Sequence, residues 1–533
     1  MSERRLFVRR ASGLTRIIGP FAAMVFGVHC ISLSSSGLIP YAWCPWLWPG
    51  ADLVALLTFS MLLCLIHATT YAQIGSIYPR SGADYILGSR LINPVLQFGA
   101  SFSFTVFTCL TAGSLIAWIP SSVLPSFLDT WAVLFNAPHL FAVSKWVASP
   151  TGVLVIGLLF VFVTWLACIL PTKWVVRLMI IGFWLGTIAW ILVYVAYLMT
   201  PGPEAFKAAW DKFTVAAGGV PYDQVIPTAK KYGFEYPIYP WWFGALAGAI
   251  MGFWIYYGYY IPNFFAGELK EAPKTLLLGS WGALIYTWAI FTLGAVLLYP
   301  RLMPLEWMAA AGYLYYNTPE WSLPFTTYWA SILWPHPVPV SIIMIGWIYT
   351  LVNLAMTYFF YNSRIFFAMA FDRALPEMFA DVHPKLRSPV KAMTLCAILA
   401  AVGVALSVYT VIFVQFNFVL YVCLVQLIPV AAAIIYPFVR KEEFERAPKL
   451  VNFKVGPIPG ITLIGCATMA FLLWMILACW LYPAVGGVIG PWTIGWFLAF
   501  FIGGVIIFLI MRWYRMRTEG FDLLLTYKEI PPL

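Results

Sequence analysis

The sequence predicts an all-α integral membrane protein of about twelve transmembrane helices, and three observations predict it. The composition is too apolar for a water-soluble chain, the apolar residues run on for the length of a membrane span, and the basic residues collect in alternate loops. Of the 533 residues, 62% are hydrophobic and 10% charged, where a soluble domain carries roughly 25% charge. Stretches such as 152–171, 179–199, 276–299, 461–482 and 493–511 are nearly free of charge. Each approaches the about 20 residues a helix needs to cross the hydrocarbon core. A membrane β-barrel would instead alternate lipid-facing and lumen-facing residues over segments of about ten, so helices are the spanning element.

Spans are expected at residues 17–41, 52–77, 94–120, 151–171, 174–200, 241–266, 275–299, 337–371, 389–411, 413–438, 461–482 and 491–513. The N-terminal SERRLFVRR enters the first apolar run near Ile17 without a cleavage-site pattern, so no signal peptide is expected and the first helix is read as a true span. The loops provide an independent test. Of 31 basic residues, 24 fall on the side of the two termini and six on the other, with Arg364 left inside a span. By the positive-inside rule both termini are then cytoplasmic, in a multi-pass protein of the cell membrane. The net charge of +10 is accounted for by contact with anionic lipid and calls for no nucleic-acid partner. The opposite loops, 121–150, 201–240 and 300–336, are rich in Pro, Trp and Tyr and read as interfacial aromatic belts or short helices lying on the membrane. The nine cysteines are scattered singly with no CxxC pair, which fits small core residues rather than a metal site.

Two spans have an interrupted middle. The first reads FGVHCISLSSSGLIP (26–40), and the sixth reads FWIYYGYYIPN (253–263) with Gly258 and Pro262 breaking the apolar run. Broken helices at corresponding places in two halves point to a transporter site. Freed N–H groups there attract a carboxylate, and freed carbonyls attract an ammonium or cation. The competing reading is that small residues let helices pack closely. Ionisable groups inside spans are few: His29, His67 and Arg364, with Asp52 at an edge. Arg364 is expected to pair with Glu268 or Asp372, or to reach the headgroups, in a structural or gating role.

Three stretches resemble signatures of the amino acid–polyamine–organocation (APC) superfamily of permeases. They are YAQIGSIYPRSGADYILGSR (71–90), with its Pro-Arg-Ser-Gly core, AGELKEAPKT (266–275), and SRIFFAMAFDRALPEMFADVHPKLRSPV (363–390). The resemblance implies a five-plus-five inverted repeat of the leucine-transporter type plus two C-terminal helices, with a first half at 14–200, a second at 241–439 and the additional pair at 460–513. It implies transport of an amino acid or related amine by alternating access, without covalent chemistry. Carried over residue by residue, it implies a substrate site made by the backbone of Ile31, Ser32, Leu33, Ser34 and Ser35 and of Trp254, Ile255, Tyr256, Tyr257 and Gly258. The N–H groups from Leu33 to Ser35 would receive the carboxylate, and the carbonyls of Ile31, Trp254, Ile255 and Tyr257 the ammonium. Here the chain departs from the family pattern. Leu33 and Ser35 stand at usual glycine positions, and the fifth span lacks the lysine that some proton-coupled relatives carry.

The missing lysine leaves two ways to couple transport to an ion. Either His29 takes a proton, or a sodium ion sits between carbonyls near 27–31 and oxygens of Thr357, Asn362 and Ser363; the proton is favoured, and uncoupled exchange is the remaining alternative. No other cofactor is expected. With no carboxylate near the site and Trp254, Tyr256, Tyr257 and Tyr259 around it, a neutral, apolar or aromatic amino acid is the expected substrate. Another small amine, a nucleobase or an organic ion on the same fold is the alternative. The five histidines lie in five different elements, and no HExxH, GxSxG or Walker motif occurs, so an enzyme is not expected.

Overall fold

The computed structural model describes residues 14–531 except 239, 320–322, 416 and 482–489. Arg4, Arg5, Arg9 and Arg10, and the Glu-Trp-Ser of the loop 300–336, lie outside the described residues. Among the described residues eleven helices are long and apolar enough to span a membrane: Pro20–Leu47, Leu53–Ile77, Pro94–Leu134, Pro150–Cys168, Thr172–Met199, Ala272–Leu298, Pro337–Phe371, Val390–Tyr409, Phe418–Val439, Gly460–Leu481 and Pro491–Glu519. The remaining expected span, the sixth, is a 15-residue helix, Trp241–Ile255, that stops in mid-run. Two short 3-10 turns follow, Ile261–Phe264 and Ala266–Glu268. The chain turns at Gly258, whose φ of +117° only glycine adopts readily. Pro262 has no N–H with which to resume an α-helix.

The first span is interrupted as well. Its helix Pro20–Ile31 gives way at Ser32, where φ is +68°, to a π-helical turn Ser32–Ser36 and then to the short turns Ile39–Ala42 and Cys44–Leu47. Both breaks thus fall where the serines and the Gly-Pro pair stand in the sequence.

Helix pairing has an internal symmetry. The first span packs on the seventh as the sixth packs on the second; the third packs on the ninth as the eighth packs on the fourth; the fifth packs on the eighth as the tenth packs on the third. In lipid such pairs are held mainly by close van der Waals packing, which small residues permit. At the crossing of the third and ninth spans, a Cβ on Gly113 would lie 1.9 Å from the Ala400 carbonyl oxygen, and one on Gly403 2.1 Å from that of Leu110. The eleventh span packs on the tenth and the twelfth on the third. Leu158, Leu159 and Phe162 of the fourth span, and Ile502, Ile506 and Leu509 of the twelfth, stay exposed, as a lipid-facing surface requires.

The segments on the side away from the basic face form short helices. Helices Pro203–Ala216, Leu305–Asn317 and Thr326–Leu333 form a packed cap in which Phe206, Trp210, Trp307 and Trp329 are all buried. Trp210 meets Trp307 edge-on at 4.9 Å between ring centroids. Enough large rings occur close together that they bury one another.

On the opposite, basic face the two chain ends meet the loops. Ile18 pairs with Leu269, Ser81 with Phe265, and Arg80 Nε donates to the Pro531 carbonyl at 2.9 Å.

Candidate functional site

The two helix breaks touch. A Cβ on Gly258 would lie 2.5 Å from Cys30 Cβ and 2.7 Å from the Cys30 carbonyl carbon, so the chain after the sixth helix runs directly against the first. Above this crossing, on the side away from the basic face, opens a cavity of about 390 Å³, within the range of small-molecule sites. Cys30, Ile31, Ser35, Ser36 and Trp43 line it from the first span, Trp254 and Tyr257 from the sixth, and Leu354 and Tyr358 from the eighth. Tyr316, from the helix Leu305–Asn317, also lines it. None of the lining side chains carries a formal charge, and half are aromatic.

Four of the ten expected binding residues line this cavity: Ile31, Ser35, Trp254 and Tyr257. Ser32, Leu33, Ser34, Ile255, Tyr256 and Gly258 stand behind them. The Leu33 carbonyl accepts from Trp190 Nε1 at 3.0 Å, and the Tyr256 hydroxyl donates to the Leu57 carbonyl at 3.2 Å. The Ser35 N–H donates to Ser32 Oγ at 3.2 Å, so the expected trio of free N–H groups from Leu33 to Ser35 is not intact. The serine side chain has taken over one of the backbone groups that the break releases. Likewise the Trp254 carbonyl already accepts from the Tyr257 N–H at 3.1 Å.

The third span supplies lining residues that motif reading missed: Phe107, Thr111, Ser114 and Trp118. Their spacing of four, three and four is one face of a helix, and the two hydroxyls on that face of an apolar span were the available signal.

His29 is fully buried but lies outside the lining. Its Nε2 is 2.7 Å from the Met179 carbonyl and 3.1 Å from Asn353 Nδ2, so it faces the fifth and eighth spans. The three oxygens expected for sodium each make a hydrogen bond within the protein. Thr357 Oγ1 donates to the Asn353 carbonyl, Asn362 Oδ1 accepts from Thr108, and Ser363 Oγ donates to the Phe360 carbonyl while accepting from Arg364.

Below the cavity, at the basic face, lie two buried ion pairs. Arg364 Nε donates to Glu268 Oε1 at 2.8 Å, and Thr172 Oγ1 donates to Glu268 Oε2 at 3.1 Å. Arg90 holds Asp372 through two contacts, at 2.7 and 2.8 Å. The pairs tie together the stretches 71–90, 266–275 and 363–390. Tyr527, near the C-terminus, hydrogen-bonds Tyr85 at 2.8 Å and lies under the Arg90 guanidinium.

A family profile described as amino acid permease matches residues 21–512. The vacuolar cationic amino acid transporter 4 of Arabidopsis thaliana is 24% identical over 341 residues, which cover 63% of this chain and 49% of that protein. The chain therefore spans about half the length of this curated relative. With nearly every span inside the matched region, this chain belongs to the amino acid permease family of the APC superfamily.

Proposed function

We propose that this permease moves a neutral amino acid with an apolar or aromatic side chain by alternating access, driven by coupled proton movement. The observation that carries the substrate class is the cavity itself: it touches both helix breaks and has an aromatic lining without charge. The relative's name specifies cationic amino acids. A cationic side chain in this cavity would meet no carboxylate, only neutral hydroxyls and ring faces, the latter offering about 0.5–2 kcal/mol.

The symmetric pairing of spans supports reading residues 14–200 and 241–439 as two five-helix repeats, with 460–513 as an additional pair. The loop charges support cytoplasmic termini. In that orientation the cavity lies toward the outside, and the Arg364–Glu268 and Arg90–Asp372 pairs must part for release inside.

Thermal denaturation of the detergent-purified protein against the twenty amino acids and common amines, with and without sodium, tests this reading. A ligand that binds only the folded protein raises its stability by about 2.7 kcal/mol at a hundredfold excess over Kd. Stabilisation by leucine- or phenylalanine-like ligands without sodium is expected. Stabilisation by lysine or arginine alone would reverse the substrate class.

A further inference from the structure

A second, much smaller void lies on the basic-face side of the sixth-helix break. Its volume is about 10 Å³, room for about one water molecule. Asp84, Gln97, Ser101, Phe264, Ile365 and Gln426 are among its walls. Asp84 is 8% exposed, Gln97 1% and Gln426 3%. Gln97 Nε2 donates to Ser101 Oγ at 2.9 Å, while Gln97 Oε1 and Gln426 Nε2 have no protein partner.

Asp84 sits in the first turn of the helix Ala83–Leu91 and accepts from the Tyr85 N–H at 2.6 Å. No cation pairs with it among the described residues. Arg90 of the same helix is committed to Asp372, and Arg364, next to the wall residue Ile365, to Glu268. Tyr71 of the second span is the titratable group whose field is coupled to Asp84. The other titratable groups on the packed elements are engaged elsewhere. Tyr85 bonds Tyr527, Tyr421 stacks on Phe107, Tyr436 packs on Tyr78, and Cys109 and Cys423 neighbour other cysteines. Lys528 ends the same C-terminal turn as Tyr527. Burial pushes the Asp84 carboxyl up to about 7, against the smaller opposing effect of backbone N–H donors. A lone carboxylate out of water is neutralised by taking a proton.

A hydrogen-bonded chain runs from this void to the sixth helix. Gln426 Oε1 is 2.9 Å from His67 Nε2, and His67 Nδ1 is 2.9 Å from the hydroxyl of Tyr259, the residue after Gly258. The void is also tied to the closed inner face, because Gly82 N–H donates to the Phe264 carbonyl at 2.7 Å.

We propose that Asp84 is the proton-binding site of the transport cycle, protonated while the basic face is closed and deprotonated when that face opens and water reaches it, with Gln426, His67 and Tyr259 linking it to the broken sixth helix. The proposal rests on the proton-coupled reading above, but assigns the proton to Asp84 instead of His29. The proton enters with substrate from the outside and leaves to cytoplasmic water, and no bond to substrate forms or breaks.

The test uses the full chain reconstituted in lipid. Difference infrared spectra across a pH titration are expected to show a carboxylic-acid carbonyl band that disappears as pH rises through about 7 and is absent in Asp84→Asn. Proteoliposome uptake of leucine driven by a pH gradient is expected to be lost in Asp84→Asn while leucine–leucine exchange persists. Asp84→Glu, which keeps the acid should the amide fail to fold, is expected to retain driven uptake with a displaced pH midpoint. A band that survives in Asp84→Asn, or driven uptake that survives there, overturns the proposal. So does stabilisation by sodium chloride over choline chloride that requires Asp84, which would make the void a sodium site. If the unaltered protein neither takes up nor exchanges leucine, the substrate reading fails, and the infrared result alone decides the proton site.

Discussion

Arg364 Nε donates to Glu268 Oε1 across 2.8 Å, and neither side chain is exposed. The guanidinium also lies 3.6 Å from the centroid of the Phe360 ring. Through its backbone carbonyl, Glu268 accepts from the N–H groups of Ile17 and Ile18. Glu268 thus holds the start of the first span through its carbonyl and the exit of the eighth through its carboxylate. The second link lasts only while both charges are present, because either charge left alone in the interior is costly.

Removing one partner is therefore expected to be severe. Arg364→Ala or Glu268→Ala should each cost about 3–5 kcal/mol of stability, read as a lower denaturation midpoint in detergent. The double variant Arg364→Met/Glu268→Leu should recover most of that loss, since it leaves no unpaired charge. Single variants as stable as the parent would mean that water reaches the pair and that it does not close the face.

Gly258 tests the contact between the two breaks. Any side chain there meets Cys30 Cβ and backbone on a φ that non-glycine residues resist. Overpacking and backbone strain each cost about 1–3 kcal/mol. Gly258→Leu is expected to abolish ligand stabilisation in a protein that still inserts and purifies, and Cys30→Ala should not rescue it. Full ligand affinity in Gly258→Leu would place the site elsewhere.

The lack of charge in the cavity predicts that selectivity can be changed. Thr111 and Ser114 line it from the third span, so Ser114→Asp would supply the missing counter-charge for a cationic side chain. Even a modest gain of about 1.4 kcal/mol is a tenfold shift in relative affinity, to be read by competition of lysine against leucine. An unchanged preference would show that the substrate side chain does not point toward the third span.

Topology is tested by labelling. Single cysteines at positions 2 and 530 in an otherwise cysteine-free chain should resist an impermeant reagent applied to intact cells, whereas one at position 235, in the outer segment, should react. Labelling at either end from outside would invert the charge-based orientation.

Much of this was legible in the sequence because a bilayer permits so few solutions. Apolar run length predicted the spans, and Gly258 and the serine tract at 32–36 marked both breaks. The cavity wall was less legible. Phe107, Thr111, Ser114 and Trp118 form a stripe without a motif, and Tyr316 reaches the cavity only through a tertiary fold of the outer segment. The free N–H groups expected at 33–35 were altered by a short-range effect, Ser32 Oγ accepting from Ser35. Asp84 gave no local warning, since its lack of a cation is a property of packing and it sits in a loop stretch that reads as solvated.

The same packing gives stability a pH dependence of definite sign. The Asp84 carboxyl is raised from its ordinary 3.8 to about 7 by burial, so the folded state holds its proton more tightly than the unfolded chain does. Its contribution is fully present below about 4 and is lost as pH rises through about 7, by up to a few kcal/mol. Glu377 acts in the opposite sense. A hydrogen bond from Arg373, and then the charge of Arg515, hold its carboxyl below the usual range. Its contribution is present above the ordinary glutamate value and is lost as pH falls. Because Glu377 is largely solvated, that contribution should stay below about 1 kcal/mol. The advantage in denaturation midpoint of the protein over Asp84→Asn should therefore shrink as pH rises from about 4 to about 7. Glu377→Gln should leave that trend intact and change only the acid limb. A difference between the protein and Asp84→Asn that does not change with pH would assign the titration to another group.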